Sequence, residues 1–190
     1  MARLTYTAIA SLDGYVADEQ GDFSWSTPDA EVHAFVNDLE RPVGTHLHGR
    51  RLYEVMKVWE GDDVFASAPP ADLPILRDYA AIWRASEKIV YSRTLESVET
   101  TRTRLERSFD PETVRQLKER TAGEISIGGA ELAAQAIEAG LVDEIRLLMV
   151  PVAVGAGKPA LPITNHLRLN LQEHRRFGNG TVYLRYGLEG

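Results

Sequence analysis

The sequence predicts an α/β protein with a mainly parallel central sheet, helices on both faces and a C-terminal antiparallel hairpin. Short, apolar, β-favouring segments alternate with segments of helical periodicity, and consecutive parallel strands need such crossovers. Two final strand-like segments flank Gly178-Asn179-Gly180, which is typical of a hairpin turn. The 190 residues contain no internal repeat and no linker-like boundary, so we expect a single domain over 1–190.

Eight strands are predicted from short segments of aliphatic, aromatic and β-branched residues that turn-forming residues delimit. The first ends before the turn signal Asp13-Gly14, and the sixth is a long apolar run that ends before Pro151. In chain order the segments are 4–10, 45–48, 88–91, one centred on Leu105, 124–127, 145–150, 167–176 and 181–188.

Five helices are predicted from apolar residues spaced three or four apart and from capping residues at the ends. Between the second and third helices we expect a loop over 59–74, because Pro69-Pro70 breaks regular structure. The helices are one opened by Pro28 and Asp29 and ended by Pro42, one after Gly49-Arg50-Arg51, 75–83, one opened by Asp110 and Pro111, and 130–139, which Gly140 ends.

The composition argues against several functional classes. A net charge of −7, with the 21 Lys and Arg residues scattered along the chain, argues against a nucleic-acid partner. Because the chain has no cysteine, it can form neither a disulfide nor the His/Cys/Cys zinc site of nucleobase deaminases. No apolar run approaches the ~20 residues of a membrane span and the N-terminus lacks an apolar signal segment, so we expect a cytoplasmic protein without membrane contact.

Three turns that follow predicted strands are candidates for an anionic ligand. Gly128-Gly129 leads from a strand into a helix, where backbone N–H groups could approach a phosphate closely. Gly49-Arg50-Arg51 and Ser92-Arg93-Thr94 follow two other strands and add guanidinium and hydroxyl groups. Each turn alone could equally be a tight connection or solvated surface, but strand ends of an open α/β sheet meet at one crevice. Together they predict a dinucleotide site, and the extra Arg and Ser favour NADP over NAD.

The carboxylates of Asp13 and Glu31 are the candidate catalytic groups. Asp13 follows the first strand, where it would face the same crevice and could hydrogen-bond a heterocycle or relay a proton, although Asp-Gly is also a common turn. Asp29 and Glu31 open the first helix, where the helix dipole favours carboxylates, so we expect a structural role for at least one of them. His46 and His48 lie on one face of a strand, but no third ligand is evident and we assign no metal.

The order and spacing of several motifs resemble the dihydrofolate-reductase-like fold, and within it the reductase domain of the bifunctional riboflavin-biosynthesis deaminase-reductase and its free-standing relatives. The resemblance spans nearly the whole chain and implies a three-layer sandwich. The motifs are Ser11-Leu12-Asp13-Gly14-Tyr15, Gly49-Arg50-Arg51-Leu52-Tyr53-Glu54, the 88–95 stretch, Ile127-Gly128-Gly129-Ala130-Glu131-Leu132, Gly140-Leu141-Val142-Asp143-Glu144, and Pro151 with Gly155 and Gly157.

The resemblance implies an NADPH-dependent reductase that transfers hydride to a small pyrimidine- or pterin-like substrate, with the nicotinamide beside Asp13. It also implies a cis peptide at Gly128-Gly129 and a homodimer. Riboflavin-pathway reductases commonly carry a Lys for a phosphorylated ribose where this chain has Tyr15, so the sequence departs from their pattern on the substrate side. The cofactor-binding residues that the resemblance implies are Gly49, Arg50, Arg51, Ser92, Arg93, Gly128, Gly129, Ala130 and Glu131.

Two other functions remain open. One is dihydrofolate reduction, because dihydrofolate reductases place a carboxylate of the first helix against the pterin, and Asp29 and Glu31 each lie near the corresponding position. The other is a non-catalytic module that binds NADPH, since a fold does not imply its function. The first predicts that Glu31→Ala abolishes folate turnover, and the second predicts NADPH binding without turnover.

Overall fold

A computed structural model describes residues 1–66 and 68–188, so Ser67 of the predicted 59–74 loop and the last two residues of the 1–190 domain lie outside the described residues. The strands are β1 Arg3–Ser11, β2 Tyr15–Asp18, β3 Val43–Gly49, β4 Glu87–Tyr91, β5 Thr103–Glu106, β6 Glu124–Gly128, β7 Glu144–Val150, β8 Gly157–Pro159, β9 Leu169–Arg176 and β10 Val182–Leu188. The helices are α1 Ala30–Glu40, α2 Arg50–Met56, α3 Leu73–Ala85, α4 Pro111–Arg120 and α5 Ala130–Glu138.

Eight strands form one sheet in the order β5-β4-β3-β6-β1-β7-β10-β9. The strands from β5 to β7 in this order pair in parallel, whereas β10 pairs antiparallel with both β7 and β9. The turn between β9 and β10 lies at the predicted glycines, and Gly180 donates its N–H to the carbonyl of Phe177. The predicted mainly parallel α/β sheet with a C-terminal antiparallel hairpin is therefore confirmed.

Helices cover both faces of this sheet. On one face, α4 and α5 pack over an apolar cluster in which Leu4, Ile125 and Ile145 are fully buried. On the other face, Val32 of α1 packs with buried residues of β7 and β10, and Trp83 of α3 stacks on His48. Full burial of one large aliphatic side chain contributes about 1.5–3 kcal/mol, so these two cores hold the three layers together.

A separate two-stranded ribbon, formed by β2 and β8, is absent from the sequence-based prediction. The ribbon begins four residues after the end of β1, and β8 lies between the predicted strands 145–150 and 167–176, where the sequence predicts no regular element. At four and three residues, these strands are too short to show the alternation that identifies a strand. The ribbon places residues of two distant segments beside the end of β1.

Candidate active site

The carboxyl ends of five parallel strands form one edge of the sheet, and every predicted site residue lies along it or beside it. Following the strand order, this edge carries the turns after β4, β3, β6, β1 and β7. The hairpin turn between β9 and β10 continues the edge, because Val182 pairs with Met149 near the end of β7. The three turns predicted to hold an anion thus follow adjacent strands, and both predicted catalytic carboxylates lie beyond them.

The turn from β6 into α5 has glycine at two consecutive positions, and the backbone conformation of the second favours it. Gly129 has a φ of +93°, in the left-handed region, and a Cβ there would lie 3.6 Å from the backbone nitrogen of Gly49. A Cβ on Gly128 would overlap the side chain of Leu52. Among the described residues, no side chain caps the start of α5 at Gly129, so the backbone N–H groups of its first turn, which includes Ala130 and Glu131, are available to an anion.

One expectation for this turn is wrong. No cis peptide bond occurs among residues 1–66 and 68–188, and the Gly128-Gly129 bond is trans. Gly129 has a positive φ where the strand passes into the helix, and the cis form that the resemblance implies is not present.

Arg50 connects two of the three turns. Its Nε donates to Oε1 of Glu54 at 2.8 Å, and its Nη1 donates to Oγ1 of Thr94 at 2.8 Å. The Glu54 carboxylate offsets the cost of a cation at the start of a helix. Arg50 therefore spans from the end of β3 to the end of β4, and Arg51 and Arg93 lie exposed beside it.

Ser92 shapes the loop after β4. Its Oγ accepts hydrogen bonds from the backbone nitrogens of Thr94, at 3.3 Å, and of Leu95, at 3.0 Å. Arg107 supports the same loop from outside by donating to the carbonyl oxygens of Ser92 and Leu95. The predicted contribution of Ser92 to a phosphate site is thus accompanied by a structural role, and the sequence prediction overlooks Arg107 because it lies in a different segment.

Asp13 joins the end of β1 to the loop after β7. Its carboxylate accepts from the hydroxyl of Ser11 at 2.6 Å, from Val154 N at 3.1 Å and from Gly155 N at 2.7 Å. The Ser11 hydroxyl, followed by the Gly155 N–H, holds the pKa of Asp13 below its usual range. Asp13 is therefore an ionised acceptor at neutral pH that fixes the loop beside the end of β1.

Glu31 lies at the same edge but contacts the hairpin. Its carboxylate accepts from Gly178 N at 3.0 Å and pairs with Nη2 of Arg175 at 3.2 Å. The Arg175 guanidinium also lies over the rings of Phe35 and Phe177, at 5.1 and 4.7 Å from their centroids. Asp29 caps α1 by accepting from Val32 N at 3.0 Å, so the expected structural role belongs at least to Asp29.

Lys158 is a cation at this edge that the sequence prediction overlooks. It lies on β8, and its Nζ pairs with Oε1 of Glu131 in the first turn of α5 at 3.0 Å. The pair ties the β2–β8 ribbon to the helix start, and Lys158 is the main cause that holds the pKa of Glu131 below its usual range. The sequence signal that could have identified Lys158 is a cation directly after the motif glycines Gly155 and Gly157.

His46 and His48 lie below the edge, in the core between the sheet and α3. Both are buried, with ring centroids 5.4 Å apart, and burial lowers the pKa of His46 to about 4. In the described part of the chain, no three His, Asp or Glu side chains are grouped as a metal site requires. The two rings are neutral packing groups at neutral pH.

Among the described helices, none has both the length and the hydropathy of a membrane span.

Comparison with known proteins identifies the family. Residues 2–183 match the family described as the RibD C-terminal domain. The chain is 27% identical to the uncharacterized proteins YyaP and YwjB of Bacillus subtilis (strain 168), over 99% and 98% of its length and over 96% and 98% of theirs. Both matches therefore cover nearly the whole length of this chain and of each relative.

Solved structures show the same fold. The chain resembles a putative riboflavin biosynthesis protein from Shewanella sp. PV-4, with a TM-score of 0.74 and 20% identity over 100% of both chains. It also resembles the diaminohydroxyphosphoribosylaminopyrimidine deaminase/5-amino-6-(5-phosphoribosylamino)uracil reductase of Thermotoga maritima, with a TM-score of 0.69 and 13% identity, over 99% of this chain and 57% of that chain. At these identities the similarity shows the three-layer, dihydrofolate-reductase-like fold that the sequence predicts. With the family match across nearly its whole length, this chain belongs to the RibD C-terminal domain family.

Proposed function

We propose that this protein is an NADPH-dependent reductase that transfers hydride to a small pyrimidine- or pterin-like ring. The observation that carries the proposal is the adjacency of three anion-compatible turns, at the ends of β4, β3 and β6, on one edge of the sheet. Ligands of open α/β sheets bind at such carboxyl edges. The family match and the reductase name of a structural neighbour support the same chemistry.

The residues present fit a dinucleotide phosphate cofactor. At the Gly128-Gly129 turn, Gly129 lies close to Gly49, and neither residue has a side chain that would keep a phosphate away from the backbone. The first turn of α5 presents N–H groups that no side chain of the described residues caps. Arg50, Arg51 and Arg93 supply positive charge for the phosphates of the cofactor. The planar set of N–H donors of a guanidinium group matches the 2′-phosphate in particular. When bound, NADPH would supply the hydride.

The substrate is expected beyond β6, beside the loops after β1 and β7. Asp13 holds residues 154 and 155 in place, so it orients the loop that would border the ring. Because its carboxylate is ionised, it can accept a hydrogen bond from an N–H edge of a heterocycle. In this proposal Asp13 anchors the substrate, and the loop excludes water on that side.

Fluorescence titration with NADPH and NADH tests the cofactor assignment. We expect Arg50→Ala and Arg93→Ala each to weaken NADPH binding about 10- to 100-fold, as the loss of a charge-assisted contact predicts, and to affect NADH less. Arg102→Ala is the matched control, because Arg102 is an exposed arginine that pairs with Glu87 at the opposite end of β4. If neither nucleotide binds, the proposed function is wrong.

A substrate screen separates the remaining alternatives once the cofactor binds. Turnover of dihydrofolate that is lost in Glu31→Ala would identify dihydrofolate reduction. NADPH binding without turnover of any pterin or pyrimidine would identify a non-catalytic module.

A further inference from the structure

We propose that the substrate of this reductase carries no phosphate group, and that it is an uncharged or cationic aminopyrimidine or pterin ring. The inference rests on the proposed function and specifies its substrate class. It depends on how charge is divided along the carboxyl edge. We call the turns after β4, β3 and β6 the cofactor end, and the loops after β1 and β7, the start of α1 and the hairpin turn the substrate end.

The cofactor end carries cations that are exposed to a ligand. Arg51 and Arg93 are exposed, and neither forms an ion pair among the described residues. These groups match the several negative charges of a dinucleotide phosphate.

The substrate end has the opposite character. The loop after β1 and the start of α1 carry Asp13, Asp29 and Glu31, and residues 4–40 contain no Lys or Arg. The loop over 150–157 and the hairpin turn over 177–181 contain no charged residue. The segments that border the substrate end therefore supply acceptors and no cation.

The cations that flank the substrate end are engaged or point elsewhere. Arg175 pairs with Glu31 and stacks on two rings, and Lys158 pairs with Glu131. Arg176 follows Arg175 on β9, so its side chain lies on the other face of the strand, away from Glu31. Among the described residues, the cations that a phosphate would meet on this side of the hairpin, Arg175 and Lys158, each already neutralise a carboxylate.

Physical chemistry then decides between substrate classes. A phosphate monoester carries about −1.5 to −2 charges at neutral pH, and without a cationic partner its desolvation is unfavourable. Ionised Asp13 would also repel it. A ring with amino and N–H donors instead matches carboxylate and carbonyl acceptors. The substrate end therefore selects for donors and against phosphate.

The test compares two probes that differ only in phosphate. One is 5-amino-6-(5-phosphoribosylamino)uracil and the other is the same compound after phosphatase treatment, each titrated calorimetrically into protein saturated with NADP⁺. We expect the dephosphorylated probe to bind at least about tenfold more tightly. Equal or tighter binding of the phosphorylated probe overturns the inference, and so does failure of both probes to bind. NADP⁺ binding, measured separately, shows whether the proposed function itself has failed.

A charge variant gives an independent test on the same probes. Glu31→Gln retains an acceptor for Gly178 N but removes the charge that neutralises Arg175, so we expect the preference for the dephosphorylated probe to fall at least about threefold. Glu173→Gln is the matched control, because Glu173 pairs with Arg185 on the same hairpin but away from the turn, and it should leave the preference unchanged. An unchanged preference in Glu31→Gln, with melting temperatures like the wild type, contradicts the charge argument.

Discussion

At the residue scale, Asp13 shows how a single carboxylate can serve both structure and chemistry. Its oxygens accept two N–H groups from residues 154 and 155, which are more than 140 positions away in the chain. The same contacts keep it ionised. A carboxylate with a lowered pKa is a poor proton donor at neutral pH, so substrate anchoring is the role that its environment favours.

Asp13→Asn tests that role. The amide places an NH₂ group where an acceptor oxygen faces the loop N–H groups, so we expect kcat/KM for the reductase substrate to fall about tenfold or more while NADPH affinity changes little. Steady-state kinetics and cofactor titration measure the two effects. Asp22→Asn is the control, because Asp22 accepts from Ser24 in a neighbouring exposed loop. Unchanged kcat/KM in Asp13→Asn would contradict the role of Asp13 as substrate anchor.

Glu40 is a buried acid at the end of α1. Its carboxylate lies 3.7 Å from Nδ1 of His46. Burial raises the pKa of Glu40 to about 7, against the opposing charge of Arg146, and burial lowers the pKa of His46 to about 4. Between these pH values both groups are largely neutral, so the folded state avoids a buried charge at this point.

Stability should therefore depend on pH in opposite directions at the two residues. The raised pKa of Glu40 contributes stability that is present below about pH 4.5 and is lost as the pH rises through about 7, by roughly 3 kcal/mol from the size of the shift. The lowered pKa of His46 contributes stability that is present above about pH 6.5 and is lost as the pH falls through about 4.

Chemical denaturation of Glu40→Gln at pH 5 and pH 8 tests the first effect. Because glutamine does not ionise, the free energy of unfolding of Glu40→Gln, taken relative to that of the wild type, should be higher at pH 8 than at pH 5. Asp38→Asn, an exposed carboxylate on the same helix, should show no such trend. A constant difference between wild type and Glu40→Gln would mean that Glu40 titrates as it does in the unfolded chain.

At the scale of elements, the β2–β8 ribbon depends on one glycine. Gly157 has a φ of +150°, and a Cβ there would overlap the carbonyl oxygen of Ala17 and the backbone of Asp18. Those neighbours are backbone atoms, so they cannot rotate away as a side chain would. The pairing of β2 with β8 therefore requires glycine at this position.

Gly157→Ala should destabilise the protein by roughly 2 kcal/mol, from backbone strain together with displacement of the ribbon. Gly155→Ala is the matched control, because Gly155 also has a positive φ, of +83°, but a Cβ there would have nothing within 4 Å. It should cost roughly 1 kcal/mol. Urea denaturation measures both values, and equal effects of the two substitutions would argue against a close approach at Gly157.

The elements predicted best from the sequence are those with strong periodicity or clear caps. Asp110 accepts from the N–H groups of Glu112 and Thr113 at the predicted start of α4, and β7 contains all of its predicted residues. Bounds differ where local signals are weak: α3 begins at Leu73, two residues before the predicted start, because Pro74 is tolerated in the first turn of a helix. Local sequence propensity identifies the type of an element more reliably than it locates the residues at which that element begins and ends.

At the scale of the whole molecule, the homodimer implied by the resemblance stays a prediction. Strand β9 forms one edge of the sheet, and most of its side chains are exposed. Leu171 on this strand is 48% exposed. An unpaired edge with an exposed apolar residue is open to association. Light scattering after gel filtration should give about 42 kDa, which is twice the 21.1 kDa of one chain, and about 21 kDa would contradict the prediction.

The sheet class, the hairpin, the five helices and the three strand-end turns could be predicted before the structure, because periodicity, caps and glycines are local signals. The partners of the functional side chains, in contrast, follow from contacts between distant segments. Asp13 contacts the loop after β7, Glu31 contacts the hairpin, and Lys158 contacts Glu131. Each of these contacts joins segments that are far apart in the chain, where hydrogen bonds and ion pairs depend on how the layers pack and not on any local pattern.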